Sequence, residues 1–519
     1  MVRERRAQGP ELTVYSPRYS CDWLARREML TPDRPALIEA TGARRTLTWR
    51  ELNRSTNRTA NWLQTTLGVR RGDRVAIVAK NSVFYLELWF ACGKLGAVLQ
   101  TLNWRLTPSE LGALLAAAPP KVLVHGASEA DAVAAIRKDL RVTEHVLLVD
   151  EAAQARDGST DAPPPAVDLG PEDPWVICYT GGSTGVPKGA VLTHGSVMAN
   201  AVNTVTSWGL TQDDVAILNA PLFHVGGLNV LTTPLVLVGG TSIVCEAFDA
   251  GQVLDLVSHA GVTAFFGVPT MFLALLEHPS WKTADFTRVK LVISGGAPCP
   301  APIFEAFWAR GIDFKTGYGL TEAGPNNFWL PPALVREKAG SVGFPLMLVE
   351  AKIVDESGAE CAADVAGELL LRGPHLFAGY DQRPDETARA LEGGWLHTGD
   401  LARRDADGCH FIVGRSKDLI ISGGENVYPA EVEGILAQHP DVAEATLVGV
   451  PDPKWGEVGR AIVVARAGSN LDADTLLAFA RERLARYKVP KDVRFVDALP
   501  RTAAGKIDKP LLRRTHGEA

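Results

Sequence analysis

The sequence has no closely spaced cysteines. Its seven, Cys21, Cys92, Cys178, Cys245, Cys299, Cys361 and Cys409, are scattered and odd in number. None makes the spacing of a zinc knuckle or a CxxC redox site, so reduced thiols in a cytoplasmic protein are expected. A basic excess is missing as well. With 53 Lys+Arg against 60 Asp+Glu the net charge is -7 and the pI about 5.9. No bulk attraction to nucleic acid or to an anionic membrane surface follows from that. No apolar run is long enough to span a bilayer: the greasiest, 226–245, is broken by Asn229, Pro234 and Gly239-Gly240. The opening MVRERRAQGPEL lacks an apolar h-region, so a secretory signal is not expected. No internal repeat is visible. What is present is 519 residues, 46% hydrophobic and 22% charged. That is enough for a sizeable core and a prior of about three structural units.

Up to about Gly340, short β-branched runs alternate with helical patterns. Thr48 and Glu51 have capping-box spacing ahead of a helix, Arg74–Ala79 reads as a buried strand, and a helix follows over Val83–Leu95. Further strands are expected at Lys121–Val124, Trp175–Tyr179, Thr241–Cys245, Thr263–Gly267 and Lys290–Ile293. The alternation predicts an α/β fold with mostly parallel, helix-flanked sheets. The Ala-, Asp- and Pro-rich stretch 151–173, with Pro163-Pro164-Pro165, reads as a surface linker splitting this region into two halves. Over about 340–410, short strands and turns predict a small β-barrel-like antiparallel unit. The expected division is a large N-terminal domain over 1–415 and a small α+β domain over 416–519. The polar Gly414-Arg-Ser-Lys-Asp418 forms a candidate hinge between them.

Tyr179-Thr-Gly-Gly-Ser-Thr-Gly-Val-Pro-Lys-Gly189 follows a strand and packs four glycines, a serine and two threonines into 11 residues. Exposed backbone N–H groups, hydroxyls and the Lys188 charge are what cradle a polyphosphate. It is not a Walker A loop, because Pro187 precedes Lys188 and Gly189 follows it. In Gly317-Tyr-Gly-Leu-Thr-Glu322, a hydroxyl followed by a carboxylate suits a phosphate contact beside a Mg²⁺ ligand, although Thr-Glu is also an ordinary helix cap. Asp400, in Trp395-Leu-His-Thr-Gly-Asp400, can accept hydrogen bonds from ribose hydroxyls. Two further motifs are Gly414–Asp418 followed by Gly423-Gly424-Glu425-Asn426, and Thr502-Ala-Ala-Gly-Lys506.

This series, together with Pro221-Leu-Phe-His224 and in this order from about Trp23 to Arg513, resembles the adenylate-forming superfamily and within it the acyl-CoA synthetases. The resemblance implies a two-step reaction. ATP and a carboxylic acid give an acyl-adenylate and pyrophosphate, and coenzyme A then displaces AMP. It implies Lys506 as the lysine at the α-phosphate, with Thr184 and Glu322 completing the catalytic set and holding Mg²⁺. Thr180, Gly181, Gly182, Ser183, Thr184, Gly185, Lys188 and Thr321 become phosphate contacts. Asp400 and Arg415 become the ribose pair, and adenine is expected between Gly295-Gly296-Ala297 and the ring of Tyr318, beside Gly317 and Gly319. Rotation of the C-terminal domain about Lys417 brings up its other face, where Gly424 resembles a glycine beside the pantetheine tunnel. Trp455 resembles a residue packed on coenzyme A, or else is a partly buried loop tryptophan. The implied acid pocket comprises His224, Val225, Gly226, Gly227, Phe266, Gly319 and Leu320, with Trp208 or Asn203 from the helix after the phosphate loop. The two glycines at 226–227 and Gly319 are read as leaving volume for the acid.

Where relatives commonly read Thr-Ser-Gly-Thr-Thr-Gly, this chain has Gly181 and Ser183. Thr316 stands where many carry a longer amide side chain. These departures bear on adenylation. The rival readings are an enzyme performing mainly one half-reaction (loading a carrier protein, or thioesterifying a supplied adenylate), a non-catalytic nucleotide-binding scaffold, and a luciferase-like oxidation. Intact Lys506 and Glu322 argue against the scaffold. The acid is left open among a medium or long acyl chain, an aryl acid such as a cinnamate, and a bulky polycyclic acid. A monomer or homodimer without a membrane span is expected.

Overall fold

The computed structural model describes residues 22–41, 44–140, 142–180, 187–502 and 505–517. Two seven-stranded sheets form the body of the N-terminal region. The first runs Lys315–Thr316, Leu291–Ser294, Ala264–Gly267, Val215–Leu218, Thr241–Val244, Pro35–Glu39, Thr46–Thr48. The second runs Gly379–Tyr380, Lys188–Thr193, Pro174–Thr180, Val98–Leu102, Arg74–Val78, Val122–His125, His145–Leu148. Pairing is parallel except at one edge of each sheet. The fully apolar Val75–Val78 is buried on both faces, as a central parallel strand must be. The expected strands lie within a residue or two of their predicted places, and the helix Val83–Leu95 has the predicted bounds. Thr48 and Glu51 form the capping box of helix Trp49–Thr65.

The split between halves does not fall at 151–173. Residues 149–157 are helical, and the strands on either side of the stretch, His145–Leu148 and Pro174–Thr180, belong to the same sheet. Hydrogen-bond pairing decides sheet membership, and Pro174–Thr180 pairs in parallel with Val98–Leu102 whatever the composition of the connection. The first sheet instead recruits Pro35–Glu39 from the beginning of the chain onto Thr241–Val244.

The antiparallel unit is an open four-stranded sheet, not a barrel: Glu350–Val354, Gly367–Arg372, Leu396–Arg404, His410–Arg415. Beyond it the hairpin Ile420–Ser422/Glu425–Val427, the long pair Val442–Asp452/Gly456–Ala465 and Asp492–Phe495 make a five-stranded sheet. Helices Pro429–Leu436 and Ala473–Arg481 cover a separate small core on it. This is the expected α+β unit. Among the described residues no helix is long and apolar enough to cross a membrane.

Aromatic stacking consolidates the second sheet. Trp175 stacks on Trp89 at 5.0 Å and on His194 at 4.7 Å, with Trp23 edge-on at 5.9 Å. His194 and His375 are only 2% and 1% exposed. Burial pushes the pKa of each from 6.5 down to about 4. The unfolded chain therefore binds more protons than the folded one below neutrality, and stability falls as pH drops from 6.5 towards 4. Each such histidine adds a slope of up to about 1.4 kcal/mol per pH unit in that window. His194→Phe, which keeps the stack, should flatten the acid limb of the melting-temperature profile. An unchanged limb would show that His194 does not titrate on unfolding.

Candidate active site

Three neighbouring parallel strands end together, with Gly267 opposite Ser294 and Ser294 opposite Thr316. The turns beyond them are tied to these ends: Gly295 N donates to Gly267 O at 3.1 Å, and Gly317 N to Ser294 O at 2.7 Å. This puts Gly295–Ala297 and Gly317–Gly319 side by side at the carboxyl edge of a parallel sheet, where ligands of α/β folds bind.

From that edge the chain reaches the antiparallel sheet. The Tyr318 hydroxyl donates to Asp400 Oδ2 at 2.6 Å, and Arg415 Nε meets Asp400 Oδ1 at 2.8 Å. Asp400 and Arg415 are cross-strand partners, so the sheet register itself sets the ion pair. Burial first and the Asp400 charge second push the Tyr318 hydroxyl pKa well up, which keeps it a donor. Its ring packs edge-on against Phe328 at 5.9 Å.

Thr321 and Glu322 lie in the single turn Thr321–Ala323. Glu322 Oε1 accepts from the Tyr380 hydroxyl at 2.8 Å. Tyr380 is placed by the short edge strand Gly379–Tyr380, paired to Lys188–Thr193. Lys188, at the start of that strand, is ion-paired with Glu386 and stands 5.0 Å from the Tyr380 ring centre. The Lys188 hydrogen bond, ahead of Arg383, holds Glu386 down to about 2. Thr180 Oγ1 donates to Lys188 O at 3.4 Å across the base of the glycine-rich loop. Gly181, Gly182, Ser183, Thr184 and Gly185 lie outside the described residues.

Lys506 keeps solvent contact at the cleft yet stands among enough protein to be partly desolvated. Desolvation first and Arg415 second lower its pKa, while Asp400 and Glu322 act against them. The lysine is therefore within electrostatic reach of both carboxylates. His224 feels it too: burial first, then Lys506, then Arg105 lower its pKa to about 4, so the imidazole is neutral near pH 7. His224 precedes helix Val225–Asn229, its carbonyl accepting from Gly227 N at 3.0 Å and Leu228 N at 3.1 Å. Lys506, Asp400, Arg415, Glu322 and His224 thus come together from distant parts of the sequence.

Just after His224 in the chain, Gly226 and Gly227 border a small hollow together with Ala216, Val230, Leu231 and Phe266. The Phe266 ring fills the space over two glycines: a Cβ added at Gly226 would lie 3.3 Å from it, and one at Gly295 3.0 Å. Phe266 therefore separates the hollow from the Gly295 turn. Gly227 borders the hollow, but neither it nor Gly319 has free space at its own Cβ position, which corrects the expectation that their missing side chains leave volume for the acid. A Cβ at Gly227 would come 2.3 Å from Pro221 O, and one at Gly319 2.1 Å from Pro325 O. Backbone already occupies those positions. Val225 is buried in the core, and Leu320 packs against it at the start of the Thr321 turn.

Lys417 lies in the turn Ser416–Asp418 joining the antiparallel sheet to the C-terminal unit. Gly424, at φ +88°, has open space where a Cβ would be. Gly423 is the glycine against Trp455, whose ring would lie 2.7 Å from an added Cβ. Trp455 is 44% exposed. The sequence reading missed Tyr380 and Glu386. Only the edge pairing of Gly379–Tyr380 beside the phosphate loop marks them, and a two-residue strand has no periodicity to read.

The AMP-binding enzyme family matches residues 24–381, and its AMP-binding enzyme C-terminal domain matches 431–506. The chain belongs to this family. A feruloyl-CoA synthase of an Amycolatopsis species is 44% identical over 95% of this chain and 98% of its own. An indoleacetate–CoA ligase of Aromatoleum aromaticum is 37% identical over 95% and 97%. A long-chain-fatty-acid–CoA ligase of Mycobacterium tuberculosis is 36% identical over the same shares. Among solved structures, ATP-bound MatB from Rhodopseudomonas palustris superposes with a TM-score of 0.87 at 34% identity, covering 96% of this chain and 99% of that one.

The glycine contacts separate two kinds of substitution. Gly227→Ala and Gly319→Ala should lower the melting temperature through backbone overlap, by about 1–3 kcal/mol of stability each. Gly226→Ala should leave melting nearly unchanged and raise the KM for the acid alone. Equal melting of all three variants would contradict the assignment.

Proposed function

We infer that the acid activated by this chain is a compact, ring-bearing carboxylate, and that the clustered residues divide the work as follows. The reaction is that of an AMP-forming acyl-CoA ligase: ATP and the acid give an acyl-adenylate, and coenzyme A displaces AMP. The observation that carries the assignment of roles is Lys506 standing within electrostatic reach of Asp400, Glu322 and His224 at the carboxyl edge of the parallel sheet.

Asp400 accepts from the ribose hydroxyls while Tyr318 and Arg415 hold its carboxylate in place. Adenine lies against Gly295–Ala297 and Tyr318. Lys506 stabilises negative charge as the acid oxygen attacks the α-phosphorus and pyrophosphate leaves. Glu322 accepts the Tyr380 hydroxyl on Oε1, which orients its carboxylate in the way a Mg²⁺ ligand requires. Among the described residues no group of three His, Cys, Asp or Glu could hold a metal. Glu322 would therefore share the ion with nucleotide phosphates, and with Thr184 of the loop, as Mg²⁺ sites commonly do. When bound, the ion neutralises phosphate charge. Neutral His224 borders the acid pocket without drawing the substrate carboxylate into an ion pair. For the thiol step, Lys417 is the pivot, and Gly424 and Trp455 line the approach of coenzyme A.

Val230 and Leu231 of the hollow share an apolar cluster with Trp208, which stacks on Trp329 at 5.4 Å, and Phe266 packs against the same cluster. That cluster suits a single ring system, the kind of acid named for two of the relatives, better than an extended chain.

The test is incubation with ATP, Mg²⁺, coenzyme A and a panel of ferulic, indoleacetic, decanoic and palmitic acids, read by mass spectrometry. The aromatic acids should give acyl-CoA with kcat/KM at least about tenfold above palmitate, a difference worth about 1.4 kcal/mol. Preference for palmitate would overturn the pocket reading. Lys506→Ala should abolish acyl-AMP formation yet still convert supplied acyl-AMP to acyl-CoA. Equal loss of both steps would contradict its role.

A further inference from the structure

Two connections meet behind the site, and buried amides join them. One follows strand Val215–Leu218 and carries His224, Gly226 and Val230; the other follows Lys315–Thr316 and carries Tyr318, Thr321 and Glu322. Helix His194–Trp208 lies behind both. From it, Asn200 Nδ2 donates to Asn229 O at 2.8 Å, and Thr204 Oγ1 donates to Asn200 O at 2.8 Å. From the other side, Asn326 Nδ2 donates to Thr204 Oγ1 at 2.7 Å and to Val230 O at 3.0 Å. The next residue completes the link. Asn327 Nδ2 donates to Gly324 O at 3.0 Å, the same carbonyl that accepts from Leu320 N at 3.2 Å and closes the turn holding Thr321 and Glu322. A Cβ at Gly324 would lie 2.9 Å from Asn200 Oδ1, so the turn rests directly on the amide cluster.

Asn200, Thr204, Asn229, Asn326 and Asn327 are all 3% exposed or less. Burying amides costs stability unless they are bonded, and apolar side chains would fill the same space without that cost. What a bonded network adds is direction, because it fixes one segment's register against another where apolar packing tolerates sliding. Val230 borders the acid hollow, and Asn327 sets the turn of Glu322.

We propose that Asn326 and Asn327 are a pair of positioning residues that lock the Thr321–Glu322 turn to the acid-binding segment, so that the two substrates' sites are set as one unit. This rests on the reading of Glu322 as the Mg²⁺ ligand. Asn326→Leu keeps the volume and removes the donors; Asn326→Asp serves if the first variant does not fold. In the substrate-free protein, hydrogen exchange should accelerate together at amides 227–230 and 320–324, by about tenfold or more, the loss of roughly one hydrogen bond's stabilisation. Calorimetric titration should show Mg·ATP affinity falling by a similar factor, although Asn326 is not itself assigned to the nucleotide. Acceleration confined to 227–230, or unchanged Mg·ATP affinity, would overturn the coupling. Glu322→Gln keeps the two claims apart. If ATP binding to that variant still depends fully on Mg²⁺, the metal role of Glu322 fails, while the exchange result continues to decide the coupling.

Discussion

One carboxylate fastens the parts of this molecule that must meet. Asp400 takes a hydroxyl from Tyr318 and a guanidinium from Arg415, with only 7% of its side chain exposed. Tyr318 comes from the edge of a parallel sheet, Asp400 from the middle of an antiparallel one, and Arg415 from the last residue before the turn into the C-terminal unit. A nearly buried charge is tolerable only with partners, and losing either would leave it uncompensated. The carboxylate still has lone-pair capacity beyond those two donors, which is what recognition of a ribose diol requires. Under the proposed roles, the contact that joins the sheets is also the one offered to the nucleotide.

The remaining site residues are arranged around that point by independent devices. Strand ends in register deliver Gly295 and Gly317. A two-residue edge strand delivers Tyr380 to Glu322. Lys506 comes from a turn of the C-terminal unit and faces both Asp400 and Glu322 electrostatically. With Arg415 preceding the Lys417 turn, movement of the C-terminal unit could withdraw Lys506 while leaving Asp400 and Tyr318 behind. Such a unit can serve two steps in succession, since each placement completes a different site.

Much of this was legible in the sequence, and the exceptions have physical causes. Strands such as Val75–Val78 and helix Val83–Leu95 are continuous apolar or capped segments, and they read directly. Lys506, Glu322, Asp400, Arg415 and His224 stand out in the sequence through motif order, and the fold gathers them. The division at 151–173 was misplaced because a proline-rich connection says nothing of which strands pair across it. Gly227 and Gly319 read as empty space because sequence shows a missing side chain but not the Pro221 and Pro325 backbone that fills its place. Tyr380 and the Asn326–Asn327 pair had no pattern to betray them: their significance lies in bonds to residues distant in sequence.

The most direct test of the central claim is the affinity of the protein for ATP against 2′,3′-dideoxy-ATP, in the wild type and in Asp400→Asn. If Asp400 receives the ribose, the wild type prefers ATP by about tenfold or more, the worth of a charge-assisted hydrogen bond. Asp400→Asn would then bind the two nucleotides alike, and weakly. An Asp400→Asn variant that kept the full preference for ATP would contradict the account.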